Sequence, residues 1–267
     1  RNFDGTAVVI FQPAEEGGGG GREMVEEGLM ERFGVQRVFG MHNMPGLPVG
    51  RFATRPGPLM AAADQFTIEV EGLGGHAARP HKCIDTTLVA AQILQGLQSI
   101  AARNVDPIES AVVSVTSFHT DGHAFNVIPQ HVHLRGTART LSGVVRDLVE
   151  ARIASVAEGI AAAHGASAKV EYMRDYPVTR NDPEEAAFAA SIAAEIAGEA
   201  GVDADTPPVM GGEDFSFMLE ARPGAFIFVG QGDTAGVHHP EYDFNDEILP
   251  VGCSYWVSLV ETAMPST

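Results

Sequence analysis

The chain alternates between two rhythms of apolar and polar positions. Near its start, TAVVIF (6–11) is a short apolar run bounded by turn residues and predicts a buried strand. REMVEEGLMERF (22–33) then places Val25, Leu29 and Phe33 at helical spacing, and RVFGMH (37–42) predicts a second buried strand ending on His42. Strand, helix and strand in that order make one unit of an α/β layer. The rhythm changes in the middle of the chain. FTIEVEG (66–72) alternates, 85–102 is helical and SAVVSVTSF (110–118) is a strand; HVHLRGTART (131–140) alternates again, 144–164 is helical and SAKVEYM (167–173) closes the set. That order is the split β-α-β arrangement of a ferredoxin-like sandwich, predicted as one unit from about 64 to 174. After TRNDPEE, Asn181 or Asp182 can cap a helix with Pro183 at its first position. The α/β character resumes there with a helix over 183–198, the strand AFIFVG (225–230) and a last helix through Val257 and Val260. The predicted architecture is an α/β domain, 1–63 and 175–267, interrupted by an α+β domain at 64–174.

Composition adds limits to that picture. With 267 residues and 45% hydrophobic content the chain can bury a sizeable core. Its formal net charge of -18 and sequence pI near 4.8 argue against nucleic acid or an anionic membrane as partner, since both select a basic surface. Lys82 and Lys169 are the only lysines. No apolar stretch is long enough to span a bilayer, and 7–11 is too short for a signal peptide, so a cytoplasmic location is expected. Cys83 and Cys253 match neither a disulfide framework nor a paired metal motif, and read as isolated thiols.

The chemistry concentrates in three segments. FQPAEEGGGGG (11–21) sets Glu15 and Glu16 side by side between an apolar run and five glycines. Adjacent carboxylates at the carboxyl end of a buried strand sit where α/β sheets place ligands, and a divalent metal is the counter-charge that lets both stay ionised. The glycines also suggest a phosphate loop, but GGGGGRE lacks the Lys-Ser/Thr of a Walker motif. His42 closes the next strand in GMHNMP, and GVHHPEYDFNDE (236–247) brings His238 and His239 before a proline and an acidic loop. Glu, His and His from separate segments form a ligand set used by catalytic zinc and related sites. Glu241 and Asp243 could supply acceptors that fix an imidazole tautomer.

Read together, FQPAEEGGGG, GMHNMP, GLGGHAARPH (72–81), FNVIP (125–129), RGTART (135–140), GGEDFS (211–216) and HHPEYDFNDEIL resemble the M20 metallopeptidases, in the amidohydrolase branch with hippurate hydrolase and N-acyl-amino-acid hydrolases. The resemblance runs in order along essentially the whole chain. It implies a catalytic α/β zinc-peptidase-like domain carrying two divalent metals (Mn, Zn, Co or Ni), with an inserted ferredoxin-like α+β lid domain that makes a homodimer. The implied substrate is a small N-acyl amino acid. Residue by residue, Glu15 resembles the general base, Glu16, His42 and His238 the metal ligands, and His76 a lid residue that serves the partner subunit's oxyanion. Asn126 and Arg139 match positions that hold the substrate carboxylate, and Glu213 and Asp214 are implied to lie near the pocket. The family's HxCGHD-type segment, which supplies a Cys and a His to the metals, has no counterpart here. The chain is thus expected to lack its N-terminal part, which raises the alternative of a catalytically incomplete fragment acting as an assembly or binding module.

Overall fold

The structure, a computed structural model, describes residues 2–266. Its elements run α1 (Gly20–Glu26), α2 (Leu29–Arg32), β1 (Val38–Pro45), β2 (Phe52–Ala53), β3 (Gly57–Met60), β4 (Ala62–Glu71), β5 (Gly75–His76), α3 (Thr86–Ser99), β6 (Ala111–Thr120) and β7 (Val127–Ile128). There follow β8 (His131–Thr140), α4 (Gly143–Ala163), β9 (Ser167–Tyr176), β10 (Thr179–Asn181), α5 (Pro183–Ala197), β11 (Val202–Asp203), α6 (Ser216–Ala221), β12 (Gly224–Gly232) and α7 (Leu249–Ala263). The described residues form two compact units: one takes the chain up to Met60, Thr179–Val209 and the chain from Glu213 onward, the other Ala61–Val178 and Met210–Gly212. No helix among the described residues is long and apolar enough to cross a membrane.

The first unit is built on a sheet of order β1-β12-β2-β11. β12 is buried on both faces, as the unbroken apolar run AFIFV requires. Its Phe226 and Phe228 pack with Leu29, Met30, Phe215 and Met218 on the side of α1 and α6, whereas Ile227 and Val229 pack with Ile192, Tyr255 and Leu259 on the side of α5 and α7. β1 runs parallel to β12, pairing His42 with Phe228, so His42 shares the α1/α6 face of the sheet. Asp182, rather than Asn181, caps α5: its carboxylate accepts from the N–H groups of Glu184 and Glu185, and Pro183 takes the first helical position. Asn181 is instead buried, donating to the Phe226 carbonyl at 2.9 Å and accepting from the Phe226 N–H at 2.7 Å.

Three expectations are corrected in this unit. TAVVIF forms no strand, and Val9 and Phe11 are 76% and 88% exposed. An apolar run states that a segment can be buried, but the neighbour that would pair with it is a long-range fact. The helix expected over 22–33 is broken at Gly28, whose φ of 84° ends α1 and turns the apolar stripe. Leu29 and Met30 are buried as a result, while Phe33 is exposed. His42 lies within β1, not at its end, because pairing with β12 carries the strand on to Pro45.

The second unit holds an antiparallel sheet of order β6-β8-β4-β9. α3 and α4 pack on one face, where Phe66, Ile68, Val70, Val132 and Leu134 meet Ile93, Leu97, Val149 and Ile153. Strand alternation leaves Glu69, His133 and Arg135 on the opposite, exposed face. Among the described residues, the charged group buried under the helices is Asp64, and it is fully satisfied. Arg146 grips both of its oxygens, with Nε at 2.9 Å, and the Tyr172 hydroxyl donates to Oδ2 at 2.7 Å. β5 and β7 form a separate two-stranded ribbon pairing Gly75 with Ile128 and His76 with Val127.

Candidate metal centre

The glycine-rich segment gets its shape from what it must approach. Ala14 adopts φ 53°, a conformation uncommon for a residue with a side chain, and its carbonyl accepts from the Gly18 N–H at 2.8 Å. The turn brings the start of α1 so close that a Cβ on Gly20 would lie 2.0 Å from the Pro13 carbonyl oxygen. The Gly21 N–H can then donate to Asp214 Oδ2 at 2.7 Å. Gln12 adds two more ties, donating to Glu213 Oε1 at 3.1 Å and to Asp214 Oδ1. Glu213 in turn accepts from the Phe215 N–H at 2.9 Å, at the entry to α6.

These ties put three carboxylates together. Glu15, Glu213 and Asp214 each offer an oxygen within 4.8 Å of the others, with Glu15 half-buried and the other two buried. Among the described residues this is the group of metal-ligating side chains whose donor atoms already converge. Burial, and then the charges of Glu213, Glu16 and Asp214, push Glu15 up from the ordinary 4.5 to about 7. Glu213 and Asp214 are raised for the same leading reason, burial, with the Phe215 and Gly21 N–H groups opposing it. Like charges forced together in a partly dry site are what a divalent cation relieves, and an all-oxygen donor set suits one. On that chemistry the residues present fit a divalent metal.

The other residues singled out in the sequence distribute as follows. Glu16 turns away from Glu15 toward solvent, where its Oε2 lies 3.8 Å from His238 Nδ1. Both side chains are largely exposed, and His238 has φ 66°. His42 Nδ1 lies 2.5 Å from the Asn43 carbonyl oxygen. A carbonyl can only accept, so Nδ1 carries the proton and Nε2 keeps its lone pair for a ligand. The His42 ring is a neighbour of Glu213, whose ionised form a protonated imidazole at that position favours. Glu16, His42 and His238 therefore stand around the converging carboxylates without themselves converging. Glu213 and Asp214 supply two of the three members of that group, whereas the family resemblance implied for them only a place near the pocket. The signal that could have found them is their likeness to the first pair: two adjacent acids between glycines and an apolar helix.

In the second unit, His76 is exposed on the β5–β7 ribbon, and its Nδ1 accepts from the Ala78 N–H at 3.1 Å. Asn126 is exposed beside it, its carbonyl accepting from the Ala77 N–H at 2.9 Å. Arg139 lies on β8, half-buried, with Nη1 donating to the Ala138 carbonyl at 3.2 Å and to Thr137 Oγ1. The ribbon thus brings His76 and Asn126 together.

A layered α/β unit with carboxylates converging beside a strand-borne imidazole defines a metal-binding protein of the kind that sites its ligands at sheet edges. The chain belongs to peptidase family M20/M25/M40, which matches residues 1–262. It is 40% identical over 259 residues to a hippurate hydrolase of Campylobacter jejuni, covering 97% of this chain and 67% of that protein. It is 41% identical over 255 residues to an N-acetylcysteine deacetylase of Bacillus subtilis, covering 96% and 66% respectively. Among solved structures, a dinuclear metal-binding peptidase of the M20 family from Bacillus subtilis superposes with a TM-score of 0.78 at 36% identity, over 95% of this chain and 64% of that one. The chain spans about two thirds of the length of these relatives.

Proposed function

We propose that this chain acts in metal-dependent hydrolysis of the amide bond of N-acyl amino acids, with Glu15 as general base. The observation that carries this reading is the convergence of Glu15, Glu213 and Asp214, with Glu15 pushed to about 7. A carboxylate titrating near neutrality can both take and return a proton at working pH, which an ordinary glutamate does poorly. Glu213 and Asp214, with Glu16, His42 and His238, are the groups that would hold divalent metal. When bound, the metal supplies Lewis acidity toward a carbonyl and a water. Glu15 then accepts the proton of the attacking water and delivers it to the leaving amine. His76 is proposed to stabilise developing negative charge on the amide oxygen, serving the other subunit of a homodimer, and Asn126 and Arg139 to hold the substrate carboxylate. The inserted unit has the role of lid and dimerisation domain in this reading. The names of the relatives, a hippurate hydrolase and an N-acetylcysteine deacetylase, support small N-acyl amino acids as the substrate class.

The test is release of glycine from N-benzoylglycine by the chain supplied with Mn²⁺, Zn²⁺ or Co²⁺. Glu15→Gln should lower turnover about a hundredfold or more, the usual scale for losing a general base, with the metal content measured on the same sample retained. Metal bound with no turnover of any N-acyl amino acid would overturn the reading.

A further inference from the structure

The exposed face of the second unit's sheet carries three histidines that the proposed hydrolysis does not use. His131 and His133 alternate on β8, so both point away from α3 and α4, and β6 pairs His119 directly with His133. The same register sets Glu69 of β4 opposite His133 from the other side. Directly paired residues on one face have Cβ atoms about 5 Å apart, close enough for imidazoles to share a ligand. The rings of His131 and His133 are 6.5 Å apart and nearly parallel, 15° between planes. His131 Nδ1 is buried with no hydrogen-bond partner, and the carboxylate oxygen facing it, Glu69 Oε1, is 3.6 Å away.

We propose that His119, His131 and His133 form a second, accessory site for a transition-metal ion, with the Glu69 carboxylate on the same face beside them. Three imidazoles with a neighbouring carboxylate match the donor preference of Zn²⁺, Ni²⁺ and Cu²⁺, and do not suit Mg²⁺ or Ca²⁺. All three side chains start on one face within two residues of each other in register, and sharing an ion requires their rings to rotate toward one point above the strands. Two cations share this face: Lys169, opposite Glu69 on β9, has its ammonium 2.7 Å from Glu171, and Arg135 lies two residues beyond His133 on β8. A recess of about 310 Å³ beside His133, walled by Glu69, Arg135 and Lys169, leaves room for the metal's remaining water ligands. This site rests on the second unit alone and is independent of the function proposed above.

Binding of Zn²⁺ by the full chain, measured calorimetrically on wild type and variants in parallel so that Zn²⁺ taken up by the carboxylate centre is common to all, tests it. The His131→Asn/His133→Asn double variant should lose one equivalent of bound Zn²⁺ or bind it at least tenfold more weakly. With Cu²⁺ in place of Zn²⁺, the electron paramagnetic resonance spectrum should show coupling to several imidazole nitrogens that the double variant lacks. His119→Asn, a change at an exposed position on the edge strand, should weaken binding about tenfold even if the double variant fails to fold. Equal Zn²⁺ stoichiometry and affinity in the wild type and His119→Asn, with unchanged nitrogen coupling, would overturn the proposal.

Discussion

The raised Glu15 carboxyl makes the metal-free centre a measurable source of instability. Moving a carboxyl from 4.5 to about 7 would cost about 3 kcal/mol for a fully buried group, at about 1.4 kcal/mol per pH unit. Glu15 keeps part of its surface in water, so screening reduces the expected cost to about 1–2 kcal/mol. The sign follows from proton uptake. The folded state holds the Glu15 proton more tightly than the unfolded chain, so folding takes up a proton between 4.5 and about 7. The cost is therefore absent well below 4.5, grows as pH rises through that window, and is complete above about 7. Glu15→Gln replaces the carboxyl with a neutral group of the same shape. In urea unfolding with the metal removed by EDTA, the variant should be more stable than wild type by about 1–2 kcal/mol at pH 8.5 and by no more than a few tenths at pH 4.5. An equal effect at both pH values, or a loss of stability at pH 8.5, would show that Glu15 is not held against its neighbours' charge, and the electrostatic account of the centre would fail.

Two further outcomes are expected. Asp214→Asn should keep only one of the two hydrogen bonds from Gly21 and Gln12, since its amide has a single accepting oxygen, and remove one charge from the converging group, lowering divalent-metal affinity at least tenfold in equilibrium dialysis. Arg146→Met should destabilise the chain by about 3–5 kcal/mol in urea titration, because it strands the buried Asp64 carboxylate with only the Tyr172 hydroxyl; Asp64→Asn combined with Arg146→Met should recover part of that loss.

The elements legible from sequence are those whose signal is local. β8 begins and ends where its alternation does, at His131 and Thr140, because each second residue faces the helices and each intervening one faces water. α5 starts at Pro183 because the Asp182 carboxylate and the proline ring both act within one turn. TAVVIF shows the opposite case, in which composition indicates a strand but pairing decides, and pairing is not written in six residues. Gly28 shows a second kind of loss: glycine is tolerated inside a helical pattern, so its left-handed φ could not be told from a neutral interruption of the stripe. At the candidate centre, Glu15 could be singled out as a charged residue beside another and a glycine run. Its company with Glu213 and Asp214 could not be read from spacing, since Gln12 and Glu213, which tie the two segments together, are 201 residues apart.

The two adjacent carboxylates that open the glycine run end in different electrostatic settings. Ala14, with its left-handed φ, and the turn closed by Gly18 shape the backbone that carries them, and the two side chains differ in exposure. Glu15 goes inward, where burial and two more acids raise it to about 7. Glu16 goes outward, to water and the imidazole of His238. A pair equally exposed would offer two ordinary carboxylates, each too acidic to hold a proton at neutral pH, and a pair equally buried would repel until one was neutralised. Splitting them gives one group that can carry a proton near neutrality and one exposed to solvent beside an imidazole, from two identical residues in sequence. The division depends on the backbone of 13–21 more than on the glutamates themselves. The close approach at Gly20, where a Cβ would meet the Pro13 carbonyl at 2.0 Å, means that this arrangement of the loop requires a residue without a side chain there.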